Sequence, residues 1–232
     1  MSEHQLDRRG LVTGAALLGA SSLMAAGSVA SAPSAAPAFT AKPLPFNPTG
    51  IAGLSDKLLI SHHDNNYVGA VKRLGAITAE VAALDPATAP GYRINGLKRE
   101  ELIAWNSMIL HELYFVGLGA PSQPGAGLAA GIERDFGSLD RWRGEFSAMG
   151  KALGGGSGWV VLTWSHRDGR LVNQWAADHT MALAASTPIL VLDMYEHAYA
   201  MDYGAKAAAY VDAFMKIINW SAADANFAKA AA

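Results

Sequence analysis

Cysteine is absent from the chain. Disulfides, thiolate zinc sites and cysteine nucleophiles are therefore excluded, and any metal must be held by histidine, aspartate, glutamate or water. Charge is scarce too: charged residues make up 16% and the formal net charge is -2. With no run of Lys or Arg in the body of the chain, the electrostatic footprint of a nucleic-acid surface is missing. A phosphate loop is also lacking. The one glycine run, Gly154-Gly155-Gly156-Ser157-Gly158, precedes a strand-like stretch and has no Lys-Ser/Thr after it, so it reads as a closely packed turn. No internal repeat is present. What is abundant is apolar side chain, 51% of 232 residues, which suffices for a core in one or two domains.

The N-terminus reads as an address rather than as fold. Asp7-Arg8-Arg9-Gly10-Leu11 is a twin arginine, followed by an uncharged Ala-, Gly- and Ser-rich stretch to Ala30, where Ser28-Val29-Ala30 offers small residues to a signal peptidase. This predicts a twin-arginine signal over 1–30, export of the folded chain, and a periplasmic or extracellular location. The apolar run is short for a span of ~20 residues, so no stable membrane insertion is expected after signal cleavage. Export in the folded state suits a protein that takes up a metal before crossing. Residues 31–48 are rich in Pro and Ala and read as a tether or irregular lead-in.

The body divides by periodicity. Leu54, Leu58, His62, Asn66, Ala70 and Leu74 recur on one helical face, predicting a helix from Leu54 to about Ala83 with Ser55 and Asp56 at its start. A break from Asp85 to Gly96 separates it from a second helix, Lys98 to Leu118, with Ala104, Met108, His111 and Phe115 along one face. Together they make a helical hairpin over 49–120. A further helix is expected from Phe136 to Leu153. Trp159–Trp164 and Arg170–Ala176 are β-rich runs around the turn His166-Arg167-Asp168-Gly169. Pro188–Leu192 suits a buried strand, and helix is expected again from Met194 to Trp220. The pattern is α+β: an N-terminal helical hairpin, then an α/β domain over 128–226 with a three-stranded antiparallel sheet.

Of the seven histidines, His4 falls in the signal and His166 in a turn. His62, His63, His111, His179 and His197 are candidate ligands, and each also has a plain reading as a satisfied core or helix-surface histidine. Asp193 and His197 can grip one ion at a strand end entering a helix; equally, Asp193 and Glu196 can form a helix-capping pair. Three histidines with one aspartate suit Mn, Fe or Zn rather than Ca or Mg.

Several motifs resemble those of iron/manganese superoxide dismutases. Asp193-Met194-Tyr195-Glu196-His197-Ala198-Tyr199, with Ile218-Asn219-Trp220 further on, is similar to the family's D-x-W-E-H-A-Y and later V-N-W. Gly156-Ser157-Gly158-Trp159 matches its G-S-G-W, and the segment from His111 to Leu118 resembles its H-x-x-F-W-x-x-L helix. Leu54-Ser55 with His62 resembles its first-ligand helix, and the likeness runs from about residue 45 to 225. It implies one Mn or Fe ion per subunit on His62, His111, Asp193 and His197, with a solvent fifth ligand. Trp159, Tyr195 and Phe115 would wall the site. His179, in the loop after the second strand, takes the place of the donor to the bound solvent, with Ser107 as the other position. Glu196 and Tyr199 fall where the family builds its dimer, Glu196 reaching His197 of the partner subunit.

The departures from the family cluster. Its usual His and Tyr, four and eight residues after the first ligand, are here Asn66 and Ala70, and the second Tyr after E-H-A-Y is Ala200. The gateway tyrosine, its neighbouring histidine and the cross-dimer tyrosine are thus absent together, as a gapless register requires. In the competing register Tyr67 becomes the gateway and His63 its neighbour, but Leu59 then falls at the first-ligand position. On a straight helix Asn66 and Ala70 stand ~6 and ~12 Å along the axis from His62 and open the channel, with Tyr67 leaning in from the next face. The resemblance implies an antioxidant superoxide dismutase acting on superoxide, as a homodimer with no nucleic-acid partner. The alternative is an exported metal-binding protein or metalloenzyme of the same fold without dismutase activity.

Overall fold

A computed structural model describes residues 38–232; the twin-arginine segment and the first part of the lead-in lie outside the described residues. Helix α1 (Asp56–Ser61) begins as expected. The Ser55 hydroxyl accepts the Leu58 N–H at 3.1 Å, while the Asp202 carboxylate accepts both the Ser55 N–H and its hydroxyl. The cap therefore also staples the helix to the far end of the chain.

The helix does not run straight to Ala83. Residues His62–Tyr67 form a π-turn in which the Val68 N–H reaches the His63 carbonyl, and α2 (Val68–Ala83) resumes after it. A π-turn carries one extra residue and is rarely kept without a local reason. Here it buries His62 and Tyr67 together, each 1% exposed, although five positions separate them. This corrects the straight-helix expectation.

Helix α3 (Gly91–Val116) starts earlier than its periodicity suggests, directly after Pro90. Tyr92 in its first turn is exposed, so the opening turns carry no apolar stripe to betray them. A helix not expected from the sequence, α4 (Ala126–Phe136), comes next, and the helix expected from Phe136 to Leu153 is present after it as α5 (Leu139–Ala152). Helix α4 closes on Gly137 at φ 86°, and Ser138 caps α5 through the Arg141 N–H.

Strands β1 (Trp159–Ser165), β2 (Arg170–Ala176) and β3 (Ser186–Asp193) form an antiparallel sheet in the order β2-β1-β3. In its register Trp159 lies beside both Ala176 and Asp193, which brings the G-S-G-W and D-x-x-E-H motifs to one sheet end. Gly158 is required there. Its φ is 133°, and a Cβ would stand 2.2 Å from the Ala176 carbonyl oxygen, so no side chain fits.

The last helix expected, Met194 to Trp220, is broken into three pieces, a 3₁₀ turn at Glu196–Ala198, α6 (Ala200–Tyr203) and α7 (Ala207–Phe214), and a further helix, α8 (Trp220–Ala230), starts where it was expected to end. Gly204 at φ 53° accounts for the break between α6 and α7, and the Asn219 cap on the Ala222 N–H starts α8. The sheet packs on α3 through β3 and on α5 through β1, with Trp142, Trp159, Phe146, Tyr210 and Phe214 filling the core.

The lead-in is more than a tether along its described part. Phe39, Leu44 and Phe46 pack against the core, and Phe39 meets Trp105 edge-on at 5.6 Å. Among the described residues, no helix is long and apolar enough to cross a membrane.

Candidate metal centre

Four side chains from four separate segments converge. His62 comes from the π-turn, His111 from the middle of α3, Asp193 from the end of β3 and His197 from the 3₁₀ turn after it. Asp193 Oδ2 lies 3.1 Å from His62 Nε2, 3.3 Å from His197 Nε2 and 3.6 Å from His111 Nε2, and the last two nitrogens are 3.4 Å apart. Donors ~2.1 Å from a common centre stand ~3.0 Å apart at right angles and ~3.6 Å apart at 120°. The observed separations fall in that range, so the constellation is already the size of a coordination polyhedron.

The protonation states fit the same purpose. Burial drives the His62 and His111 pKa values down, that of His111 to about 3, which leaves both imidazoles neutral and able to ligate. Burial pushes the Asp193 carboxyl up, but its hydrogen bonds with His197 and His62 reverse this and hold it well below the usual carboxylate range. The Ser107 carbonyl lies 2.6 Å from His111 Nδ1; it accepts that N–H and turns the Nε2 lone pair into the cluster. His62 Nδ1 is buried with no partner, a cost of ~1–3 kcal/mol that folds seldom keep except at working sites. Three neutral nitrogens and one carboxylate oxygen form a donor set suited to Fe or Mn.

Asp193 does not cap a helix with Glu196. Its Oδ1 accepts the Tyr195 N–H at 2.8 Å, closing a tight turn that throws His197 back over Oδ2. Around the cluster, Phe115 lies 5.1 Å from His62, Trp159 5.2 Å from His111, and Tyr195 stacks on His197 at 5.3 Å. His179 stacks on Tyr195 at 4.8 Å, and its Nδ1 accepts the Trp159 indole N–H at 3.1 Å. In the neutral ring the proton then sits on Nε2.

Tyr67 does not lean toward the cluster. Its hydroxyl donates to Glu112 Oε1 at 3.0 Å and accepts the Lys42 N–H at 2.9 Å. His63 turns the same way, its Nε2 donating to the Lys42 carbonyl. Asn66 and Ala70 instead line a pocket of about 330 Å³ with Arg73, Ser107 and His179, the side on which the gapless register placed them. Glu196 is exposed, whereas Tyr199 is 2% exposed and stacks on Tyr210 at 5.3 Å within its own protomer.

Two residues of the site went unread in the sequence. Tyr114 lies 5.1 Å from His62, and the Tyr210 hydroxyl donates to the Asp193 carbonyl at 2.8 Å and lies 3.2 Å from the Tyr114 hydroxyl. Tyr114 follows His111 by three positions and so shares its helix face; nothing in the sequence around Tyr210 marks it.

Known proteins share this arrangement of motifs. Residues 124–226 match the family model described as the C-terminal domain of iron/manganese superoxide dismutases. A "Superoxide dismutase [Fe]" of Cupriavidus metallidurans is 65% identical over 192 residues, covering 83% of this chain and 98% of that protein. A "Superoxide dismutase [Fe]" of Aquifex pyrophilus is 35% identical over 79% of this chain and 88% of its own length. A "Superoxide dismutase [Mn] 1" of Halobacterium salinarum is 32% identical over 82% and 94%. With its fold, its cluster and near end-to-end likeness to these enzymes, the chain belongs to the iron/manganese superoxide dismutase family.

Proposed function

We propose that this protein is an exported, dimeric superoxide dismutase whose single ion is held by Nε2 of His62, His111 and His197 and by Asp193 Oδ2. The convergence of these four donors at coordination distances carries the reading. When bound, the ion supplies one-electron redox chemistry: one superoxide is oxidised to O₂, and a second is reduced, with two protons, to H₂O₂. Iron is the expected occupant, because the relative at 65% identity bears an iron name.

The protein's own part is to bind, orient and supply protons. Ser107 fixes the His111 tautomer. Phe115, Trp159 and Tyr195 keep bulk water from three sides of the cluster. His179 is held by Trp159 and Tyr195 at the edge of the pocket, where its Nε2–H can donate to the anion. Protons reach the pocket through water, for which Asn66 and Ala70 leave room. Glu196 is the reading's interface residue, and Arg8-Arg9 its export address.

The test is a superoxide assay on protein loaded with Fe or with Mn, with metal content measured in parallel. Rapid superoxide removal with at least one metal is expected; none with either metal at full occupancy would overturn the activity. Replacing Arg8 and Arg9 together by Lys should keep the chain in the cytoplasmic fraction, and unchanged export would count against the address.

A further inference from the structure

We propose that Tyr203, Tyr210 and Tyr114 form an electron relay from a surface cavity to the metal centre, through which a small phenol reduces hydrogen peroxide at the ion. The proposal rests on the cluster holding iron, and the peroxide is the product of the dismutase reading. Three phenols stand in a row. The Tyr114 ring lies 5.1 Å from the ring of the ligand His62. Its hydroxyl is 3.2 Å from that of Tyr210, and the Tyr210 ring is 6.0 Å from the Tyr203 ring. Tyr114 and Tyr210 are wholly buried, whereas Tyr203 is partly exposed. The row therefore leads from ligand to surface in two steps. At its outer end Tyr203 lines a cavity of about 550 Å³ with Gly53, Pro121, Asp212 and Lys216, which is room for a small aromatic molecule. The Tyr203 hydroxyl donates to the Gly53 carbonyl on the same wall, which holds the ring in place.

Packing alone does not call for the inner hydroxyls. Among the described residues the Tyr114 hydroxyl meets only that of Tyr210, and a buried polar pair of this kind adds little over apolar groups of the same shape. Its value lies in moving charge. Burial raises the pKa of both phenols, so each keeps its proton until an electron leaves. As Tyr114 loses an electron it passes its proton along the hydrogen bond to the Tyr210 oxygen, which is within transfer reach. It takes that proton back when an electron arrives from Tyr203 by way of the Tyr210 ring. The proton rocks and only the electron travels, so both buried phenols end as they began. Tyr203 sheds its own proton to solvent and regains a hydrogen from the phenol in the cavity. Over the whole reaction peroxide takes up two electrons and two protons and becomes two waters. Two phenol molecules each lose one electron and one proton and become phenoxyl radicals. Without the relay the oxidising equivalents fall on rings beside the ligands, such as Trp159, 5.2 Å from His111.

The experiment treats iron-loaded and metal-free protein with hydrogen peroxide and a nitroso spin trap, and locates the trap adducts by peptide mass spectrometry. Oxidation of added phenol is followed in parallel. In the iron-loaded wild type the adduct should fall on Tyr203 in preference to Tyr92, although Tyr92 is 82% exposed, and phenol should suppress it. Metal-free protein should give none. Tyr210→Phe should abolish both the Tyr203 adduct and phenol oxidation, and should raise oxygen addition at Trp159. Tyr203→Phe should do the same, while Tyr203→Trp, which keeps an oxidisable ring, should restore phenol oxidation. These two variants lie at the surface and keep the test standing if Tyr210→Phe does not fold. An adduct on Tyr92 as large as that on Tyr203 would reveal freely diffusing radicals and overturn the proposal. A Tyr203 adduct undiminished in Tyr210→Phe, or equally strong without metal, would overturn it too. Because the peroxide is added rather than made, a failure to remove superoxide would sink the dismutase reading and leave this readout intact.

Discussion

A carboxylate with no exposed surface, such as Asp193, survives in a fold only where partners offset its lost hydration. Here the partners are imidazoles, and a bound cation completes the arrangement. Asp193→Asn keeps the shape and removes the charge, so the purified variant should retain almost no metal, and its melting temperature should no longer respond to a chelator. Normal metal content in Asp193→Asn would refute the ligand set. The histidines give a second test. His62 and His111 have folded pKa values below 6.5, so below that pH the unfolded chain takes up protons that the folded chain refuses. Asp193 is also lowered, and its contribution is present above the usual carboxylate pKa and lost as pH falls. Both effects run the same way. The melting temperature of metal-free protein should be level above pH ~7 and fall steadily from pH ~6.5 toward ~3; a rise on acidification would contradict the buried, neutral imidazoles.

At the scale of elements, the π-turn decides which side chains meet the metal side. By sending Tyr67 toward Glu112 and Lys42, it clamps the lead-in, the first-ligand segment and α3 together behind the cluster. Tyr67→Phe should therefore cost ~1 kcal/mol in stability while leaving metal content and superoxide turnover unchanged. A large loss of turnover at full occupancy would put Tyr67 in the chemistry and reverse the register. None of this was legible in the sequence. An inserted residue leaves the apolar spacing from Leu54 to Leu74 readable as a plain helix, because the polar run His62 to Asn66 has no stripe to interrupt. The three strands were legible, since β-branched and aromatic runs lie on either side of a four-residue turn. The pieces between Glu196 and Phe214 ran together because helix-favouring Ala-rich sequence lies on both sides of the break at Gly204. The four converging side chains were legible only through motif resemblance, for spacing alone offered five histidines and no means of choosing among them. Of the two readings of the lead-in, its described part is the irregular one and not a free tether, because Phe39, Leu44 and Phe46 supply apolar contacts that seat it.

For the whole molecule, the uneven exposure of the cluster bears on assembly. The His62, His111 and Asp193 side chains are 0–1% exposed, while His197 is 26% exposed. One ligand therefore faces solvent, on the segment that also presents Glu196 and, a few residues on, the exposed Met201. A second copy seated there by a two-fold axis would cover both, since such an interface is self-complementary and each Glu196 could meet His197 of the partner subunit. A carboxylate accepting the outer imidazole N–H would orient the ring and strengthen it as a ligand. Assembly and metal retention are then coupled. Sedimentation at micromolar concentration should show a dimer, and Glu196→Ala should shift it toward monomer. Metal loss to a strong chelator should also quicken as the wild type is diluted through its dimer dissociation constant, and should be fast at every concentration in Glu196→Ala. A monomer at micromolar concentration, or a metal-loss rate independent of dilution in a protein that does dissociate, would show that each protomer holds its ion alone.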